Sequence, residues 1–332
     1  MRIPYEEMNR EFVRVLIKYG MDSESAQVSA RLFAEASRDG VYTHGLNRFP
    51  KFIASVVNGS VDIHARATAG ERLGVLERWN GNRGPGNLNA WKCMERAIEL
   101  AHENTLGCVA LSNTNHWMRP GAYGLMAAEA GCIGILWTNT IPNMPAWGGK
   151  NAVLGNNPVV VCIPHKDKPV LVDVAMSMFS YGKLESYARQ GKELPVDGGF
   201  DKDGNITKDA ARIQESHQPL PIGYWKGSGL SLVLDLIAAT LAGGRTSYRV
   251  AELPTETELS QVFMAIDLDR FPDKDKLLQE IGASLAFVQA SEPRQEGAPV
   301  YYPGEGMARV RKENMEQGIL VDSAIWEKVL RL

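Results

Sequence analysis

The chain has 332 residues, with 36 Lys and Arg against 39 Asp and Glu, a formal net charge of −3. Hydrophobic residues make up 44 % and charged residues 23 %, a globular composition that excludes disorder over most of the length. The near-balance of charge excludes a global field for nucleic acid or an anionic membrane and leaves room only for a local basic pocket.

Residues 1–60 read as helices. Pro4, Glu6 and Glu7 suit a first turn, Phe12, Val15, Leu16 and Tyr19 follow at helical spacing, and Gly20 stops the run. A second helix is predicted from Asp22 or Ser23 to Gly40, with Val28, Leu32 and Ala36 on one face. A further apolar-periodic run reaches Val57. From about residue 85 strand and helix alternate. The predicted order is helix 89–104, strand 108–111, helix 121–130, strand 132–137, strands 159–163 and 170–174 around a turn at 164–167, and helix 184–191. A surface loop or hairpin tip at 198–207 follows, then a buried helix 229–241, strand 261–268 and helix 274–289. A final helix at 323–330 is capped by Asp322 or Ser323. This order predicts an α/β core over residues 85–310, a smaller helical lobe over 1–60 docked closely on it, and a C-terminal helix within 311–332.

Cys93, Cys108, Cys132 and Cys162 stand among apolar residues, with no C-x-x-C pair, and read as free buried thiols in a reducing cytosol. The acidic start lacks the apolar run of a secretion signal, and no stretch approaches the ~18 apolar residues of a membrane span. A cytoplasmic protein is therefore expected. Common catalytic signatures are missing. Gly81-Asn82-Arg83-Gly84-Pro85-Gly86 has the wrong spacing for a dinucleotide fingerprint, and its proline obstructs close backbone approach. There is no phosphate-binding G-x-x-x-x-G-K-[ST], no H-E-x-x-H and no G-x-S-x-G, and the six histidines are scattered. An ordinary Rossmann dehydrogenase is disfavoured, and no metal site is expected.

Six segments hold chemistry-bearing residues. In Thr43-His44-Gly45-Leu46-Asn47-Arg48, the spacing of His44 and Arg48 would put both on one helix face. A histidine moves a proton near neutral pH, and an arginine grips a carboxylate with two parallel hydrogen bonds. Together they suit reduction of a 2-keto acid. Pro50 requires that the helix bend after Thr43 or begin near Asn47. Either way His44 lies near a helix N-terminus, whose dipole lowers its pKa. The same segment also reads as a capping turn with a solvated arginine. Ser112-Asn113-Thr114-Asn115-His116-Trp117-Met118-Arg119-Pro120-Gly121 follows a strand and precedes a helix, where α/β sheets bind ligands, or is a polar turn around a buried aromatic. A Gly/Pro/Asn-rich stretch runs from Trp137-Thr138-Asn139 through Trp147-Gly148-Gly149-Lys150 to Gly155-Asn156-Asn157-Pro158, and unstructured loops of that length are often functional. Asp173, at the end of an apolar strand, is paired, does work, or caps the next helix. Tyr224-Trp225-Lys226-Gly227-Ser228-Gly229 makes an anion site at a helix N-terminus or a plain helix entry. Tyr302-Pro303-Gly304-Glu305-Gly306 alone is a turn.

As an ordered set the segments resemble a known family. Its marks are Thr43-His44-Gly45 with Arg48, Asn115-His116, Trp147-Gly148-Gly149, Asn157-Pro158, Asp173 with Ser177 and Gly182, Trp225-Lys226-Gly227-Ser228-Gly229, and Pro303-Gly304-Glu305. They are similar to the type-2 malate/L-lactate dehydrogenases, NAD(P)H-dependent 2-keto acid reductases that lack the Rossmann fingerprint, over nearly the whole chain. The resemblance implies a non-Rossmann, three-layer α/β domain around a mixed sheet, assembled as a homodimer with the active site near the subunit interface. It implies His44 as proton donor, Arg48 as carboxylate ligand and His116 in the substrate pocket. Cofactor contacts would fall on Pro169, Val170, Leu171, Val172, Asp173, Val174 and Ala175, on Trp225 and Lys226, and on Gly304, Glu305 and Gly306. The cofactor implied is NADH, with NADPH the alternative. Within the family the chain is most similar to a subgroup acting on a six-carbon diketo acid. Lactate, malate, ureidoglycolate or a cyclic imine acid are the alternative substrates. A non-catalytic ligand-binding protein on the same fold is the alternative of another class.

Overall fold

The computed structural model describes residues 1–166 and 168–332, so the predicted turn at 164–167 ends on Asp167, outside the described residues. Strand β1 (Arg2–Ile3) precedes helices α1 (Tyr5–Lys18) and α2 (Ser23–Arg38), and a 3₁₀ turn at Tyr42–His44 leads to α3 (Phe49–Val57). Glu6 and Glu7 complement the dipole at the start of α1. Asp22 caps α2, its carboxylate accepting the Ser25 N–H at 2.9 Å, worth about 1 kcal/mol. The three helices close around aromatic rings: Phe12 stacks on Phe49 at 4.2 Å, and Phe33 meets Phe49 edge-on at 5.2 Å. Ile319, Trp326 and Val329 share this core, so residues far along the chain complete the opening lobe.

The remaining elements build a sheet between helices. In chain order they are β2 (Thr68–Leu73), β3 (Leu76–Asn80), α4 (Gly86–Asn104), β4 (Leu106–Thr114), α5 (Gly121–Glu129) and β5 (Cys132–Thr138). Next come β6 (Met144–Pro145), β7 (Ala152–Leu154), β8 (Val159–Ile163), β9 (Val170–Val174), α6 (Tyr181–Gln190), β10 (Gly199–Phe200), β11 (Ile206–Thr207), α7 (Ala210–Ser216) and α8 (Trp225–Ala242). The chain continues with α9 (Ser247–Val250), β12 (Leu259–Asp267), α10 (Lys274–Gln289), α11 (Glu305–Gln317), β13 (Ile319–Leu320) and α12 (Ser323–Arg331). Seven strands form one sheet in the order β2-β3-β4-β12-β5-β8-β9. All neighbours are antiparallel except β3 and β4. Helices α4 and α5 cover one face, with Met94, Ala97 and Tyr123 against Val109, Leu136 and Phe263. Helix α8 covers the other, with Ala238 and Ala242 against Ala110, Trp137 and Val262. The layers are helix, mixed sheet, helix. All four cysteines are free and buried.

Three differences from the sequence reading have physical causes. Strand β4 runs on to Thr114, because Ser112–Thr114 still pair across the sheet, so the ligand-type loop begins only at Asn115. The long stretch after β5 is not structureless, since β6 and β7 form a hairpin inside it. Helix α8 is buried on one side only. Leu230, Leu232, Val233, Leu236 and Ile237 are 39–54 % exposed on the other, because its apolar residues run all round while only one face meets the sheet. Among the described residues α8 alone has the length and composition of a membrane-spanning helix.

Candidate active site

The predicted site residues come from separate elements, and close backbone contacts set their positions. Thr43 and His44 lie in the 3₁₀ turn after α2. Gly45 draws that turn onto α2: a Cβ there would lie 2.1 Å from Ser37 Oγ and 2.7 Å from the Ser37 nitrogen. Only glycine allows the approach. Ser37 Oγ accepts the Leu46 N–H at 2.8 Å and donates to the Phe33 carbonyl at 3.2 Å. Arg48 does not share a helix with His44. Helix α3 begins at Phe49, with Pro50 in its first turn where a proline loses no hydrogen bond. The expected common helical face is replaced by a turn that leads both side chains into one cavity of about 1090 Å³.

His116 enters the same cavity from the end of β4. Its loop is clamped on the start of α4, since a Cβ at Gly86 would lie 2.2 Å from the Asn115 carbonyl oxygen and 2.3 Å from that of His116. Asn115 Nδ2 donates to the carbonyls of Arg83 and Gly84. The Met118 N–H donates to His116 Nδ1 at 3.0 Å. A ring nitrogen that accepts carries no proton, so neutral His116 presents an N–H at Nε2. The His44 and His116 rings stack, with centroids 5.6 Å apart and planes 16° apart.

Cations only slightly outnumber carboxylates along the cavity: Arg48, Lys51, Arg119, Arg189 and Lys328 against Asp39, Asp173, Glu185 and Glu256. Burial, then the charges of Arg48 and Arg119, push the His44 pKa down to about 4. The direction agrees with the expectation from sequence, and its causes are burial and two guanidinium charges. Burial, then Arg48 and His44, hold His116 well below the ordinary histidine value. The two arginines differ sharply. Arg119 is committed, donating from Nη1 to Asp39 Oδ2 at 2.6 Å. Asp39 also accepts from Arg38 and Arg311. Burial alone would raise the Asp39 pKa, but hydrogen bonds from Arg311 and Arg38 and the charge of Arg119 hold it far below the usual carboxylate range. Among the described residues the Arg48 side chain makes no hydrogen bond and no ion pair. Its guanidinium faces the cavity with its donors uncommitted.

The opposite wall comes from β9. Strand alternation turns Leu171, Asp173 and Ala175 into the cavity, while Pro169, Val170, Val172 and Val174 do not line it. Asp173 Oδ2 accepts the Gly121 N–H at 2.9 Å, so it caps α5 and not the next helix, α6, which Ser180 caps. Surrounding protein partly desolvates this cavity-facing carboxylate and raises its pKa, against the lowering effects of Arg119 and the Gly121 N–H. Gly304 and Gly306 line the same end, and Glu305 between them accepts the Tyr302 N–H. A Cβ on Gly304 would meet the Pro169 carbonyl oxygen at 2.7 Å, whereas one on Gly306 would meet nothing within 4 Å and would fill open cavity. Free amides at the start of the 13-residue α11, beside that opening, suit a phosphate or carboxamide.

Trp225 and Lys226 do not join this cavity. They sit exposed at the start of α8, where Trp147 packs on Tyr224 at 5.2 Å and the Trp147 N–H donates to Ser228 Oγ. Two predicted segments thus meet, but on the outer face. Asn139 and Asn157 are structural: each amide is fully engaged beneath α8. Sequence reasoning missed Ser37, Asp39, Gly86 and Glu256. Gly45 directly after His44 was the only local hint of the Ser37 contact.

The comparisons agree with this architecture. The malate/L-lactate dehydrogenase family matches residues 3–330. The chain is similar to 2,3-diketo-L-gulonate reductase of Citrobacter koseri, 46 % identical over all of both chains. It is similar in structure to sulfolactate dehydrogenase from Methanocaldococcus jannaschii, with a TM-score of 0.90 at 28 % identity over 99 % of this chain and 95 % of that one. It is also similar to malate dehydrogenase from Pyrococcus horikoshii OT3, with a TM-score of 0.88 at 29 % identity over 99 % and 93 %. A family match across nearly the full length, on a mixed sheet with no dinucleotide fingerprint, means that the chain belongs to the malate/L-lactate dehydrogenase family.

Proposed function

We propose that the chain reduces a 2-keto acid with NADH, or alternatively NADPH, its substrate being 2,3-diketo-L-gulonate and its product 3-dehydro-L-gulonate. The observation that carries the reading is the meeting of His44, His116 and an uncommitted Arg48 opposite the inward face of β9. Full-length identity of 46 % to a relative named for that substrate supports the choice of acid. The cavity fits a nicotinamide on its own evidence: the open space at Gly306, the free amides of α11 and the cavity-facing carboxylate of Asp173 line one end together. A bound reduced nicotinamide would supply hydride to the carbonyl carbon.

The chain's own groups do the rest. Arg48 donates two parallel hydrogen bonds to the substrate carboxylate and fixes which carbonyl face is presented. His116 donates from Nε2 to the substrate. His44 delivers a proton to the carbonyl oxygen as negative charge develops there. Its low pKa leaves it neutral at pH 7, and an anionic substrate raises that pKa, so the proton is taken up with the acid.

We place the active unit as a cytoplasmic homodimer. The exposed apolar face of α8 supports the dimer: Leu232, Val233, Leu236 and Ile237 form a patch of the kind monomers rarely leave uncovered. A dimer would also give Trp225 and Lys226 a role, as contacts to a cofactor in the neighbouring subunit's cavity. The test is a steady-state assay with 2,3-diketo-L-gulonate, comparing NADH with NADPH, on protein whose mass is read by light scattering. Loss of reduced-nicotinamide absorbance from a particle of twice the chain mass is expected. No turnover with any of a panel of keto acids would overturn the reading.

A further inference from the structure

The main cavity continues past Arg48. A side cavity of about 250 Å³ adjoins it and shares Arg48, Lys51, His116 and Glu256 with it. At a liquid-water share of ~30 Å³ per molecule, that is room for about eight waters or a short hydroxylated chain. Phe52 and Met118 form its apolar side, and Ser55, Asn58, Ser60 and Thr255 its polar side. Ser60 Oγ and Thr255 Oγ1 meet 3.1 Å apart across its rim.

Glu256 is the unusual wall residue. Its Oε1 is shut away from solvent with no hydrogen-bond partner. Enclosure raises its pKa, against the lowering effects of nearby Arg48 and the Ile141 N–H. An enclosed carboxylate oxygen without a donor is costly, and each missing hydrogen bond to a charged group is a large loss. Nothing in the reductive chemistry uses it. The β9 end of the main cavity belongs to the cofactor, so a long acid held at Arg48 must run its remaining carbons the other way. The side cavity is the space available there. A three-carbon keto acid would leave it unfilled.

We propose that the side cavity is the subsite for the hydroxylated tail of the substrate, and that Glu256, a wall residue of both cavities, reads the tail by turning its unpartnered oxygen toward the tail's hydroxyls and accepting hydrogen bonds from them. The assignment rests on the keto acid reading of the main cavity and adds the feature that selects a sugar acid over a short acid. It makes Glu256 a specificity residue, with Ser60 and Thr255 as the polar rim.

The experiment is calorimetric binding of L-gulonate and L-lactate to the full-length protein with NADH present, so that neither hydroxy acid can react, in wild type, Glu256→Gln and Glu256→Ala. Wild type should prefer gulonate by tenfold or more. Glu256→Ala should cut the ratio of the two affinities at least tenfold, and Glu256→Gln, which keeps an acceptor oxygen, should restore part of it. Equal weakening of both acids, which would mean that Glu256 acts through Arg48, overturns the proposal. So does an unchanged ratio, or a wild type with no preference for the longer acid. Because binding is read without turnover, failure of the reductase reading shows separately in the steady-state assay. A thermal melt of each variant excludes general unfolding as the cause.

Discussion

Two polar regions of this molecule use buried hydrogen-bonding side chains to opposite ends. Beneath α8, Asn139 Nδ2 donates to Asp235 and to the Arg245 carbonyl while its Oδ1 accepts the Ser260 N–H. Nearby, Asn157 donates twice to Ser231 and accepts the Thr140 N–H. Around His44, by contrast, Arg48 is uncommitted, Glu256 has an idle oxygen and two imidazoles are held uncharged. The first region is finished by folding alone. The second keeps hydrogen-bonding capacity in reserve, and that reserve identifies the site.

The contrast breaks most visibly at His44. His44→Ala should lower kcat for keto acid reduction by about 10² to 10⁴, the usual worth of a positioned general acid, while calorimetry still detects cofactor binding. Near wild-type kcat would remove it as proton donor. Arg48→Ala should act mainly on KM, raising it by about ten- to a hundredfold, as loss of a charge-assisted contact does. Asn139→Ala should behave in the opposite sense. Denaturant titration should find a loss of about 2 kcal/mol, from groups left unpaired beneath α8, with kcat preserved in the folded fraction. A catalytic defect with normal stability would erase the distinction between the regions.

The smallest effect is a pH dependence of stability. His44 has a folded pKa of about 4, below the ordinary histidine value of 6.5. Above pH 6.5 neither state is protonated, and nothing is lost. As pH falls below 6.5 the unfolded chain takes a proton that the folded one refuses, so stability drops until the folded pKa is reached. Between pH 6.5 and 5.5 this is about 1 kcal/mol. The shift in denaturant midpoint over that interval should shrink in His44→Gln, and an unchanged shift would show that His44 is not held neutral.

What could be read from sequence follows the same divide. Apolar runs made β5, β8, β9 and β12 legible, and in β12, at the centre of the sheet, burial on both faces leaves a composition that local reading detects. Acidic caps located the starts of α2 and α12. Strand β2 left no trace: every residue of Thr68–Leu73 is exposed at the sheet edge. Helix α11 was hidden for a similar reason, since Asn314 is its single buried residue. In the site, His44, Arg48 and His116 stood out by type, and their joint presence in one cavity agrees with the reading. Their arrangement did not stand out. The Gly45 contact spans from one element to another, the tautomer of His116 depends on a backbone N–H two residues away, and Glu256 belongs to no motif. These are tertiary facts that local spacing cannot carry.

The pairing of β1 with β13 sets a timetable for synthesis. Until Ile319, Trp326 and Val329 are made, the aromatic cluster around Phe12 lacks one wall. At ribosomal speeds of about 5–20 residues per second, the turn that bears His44 waits roughly a quarter of a minute to a minute for that wall. A nascent polypeptide therefore completes the setting of His44 only after Val329 has been added, and messages cut short before Ile319 should yield protein without it.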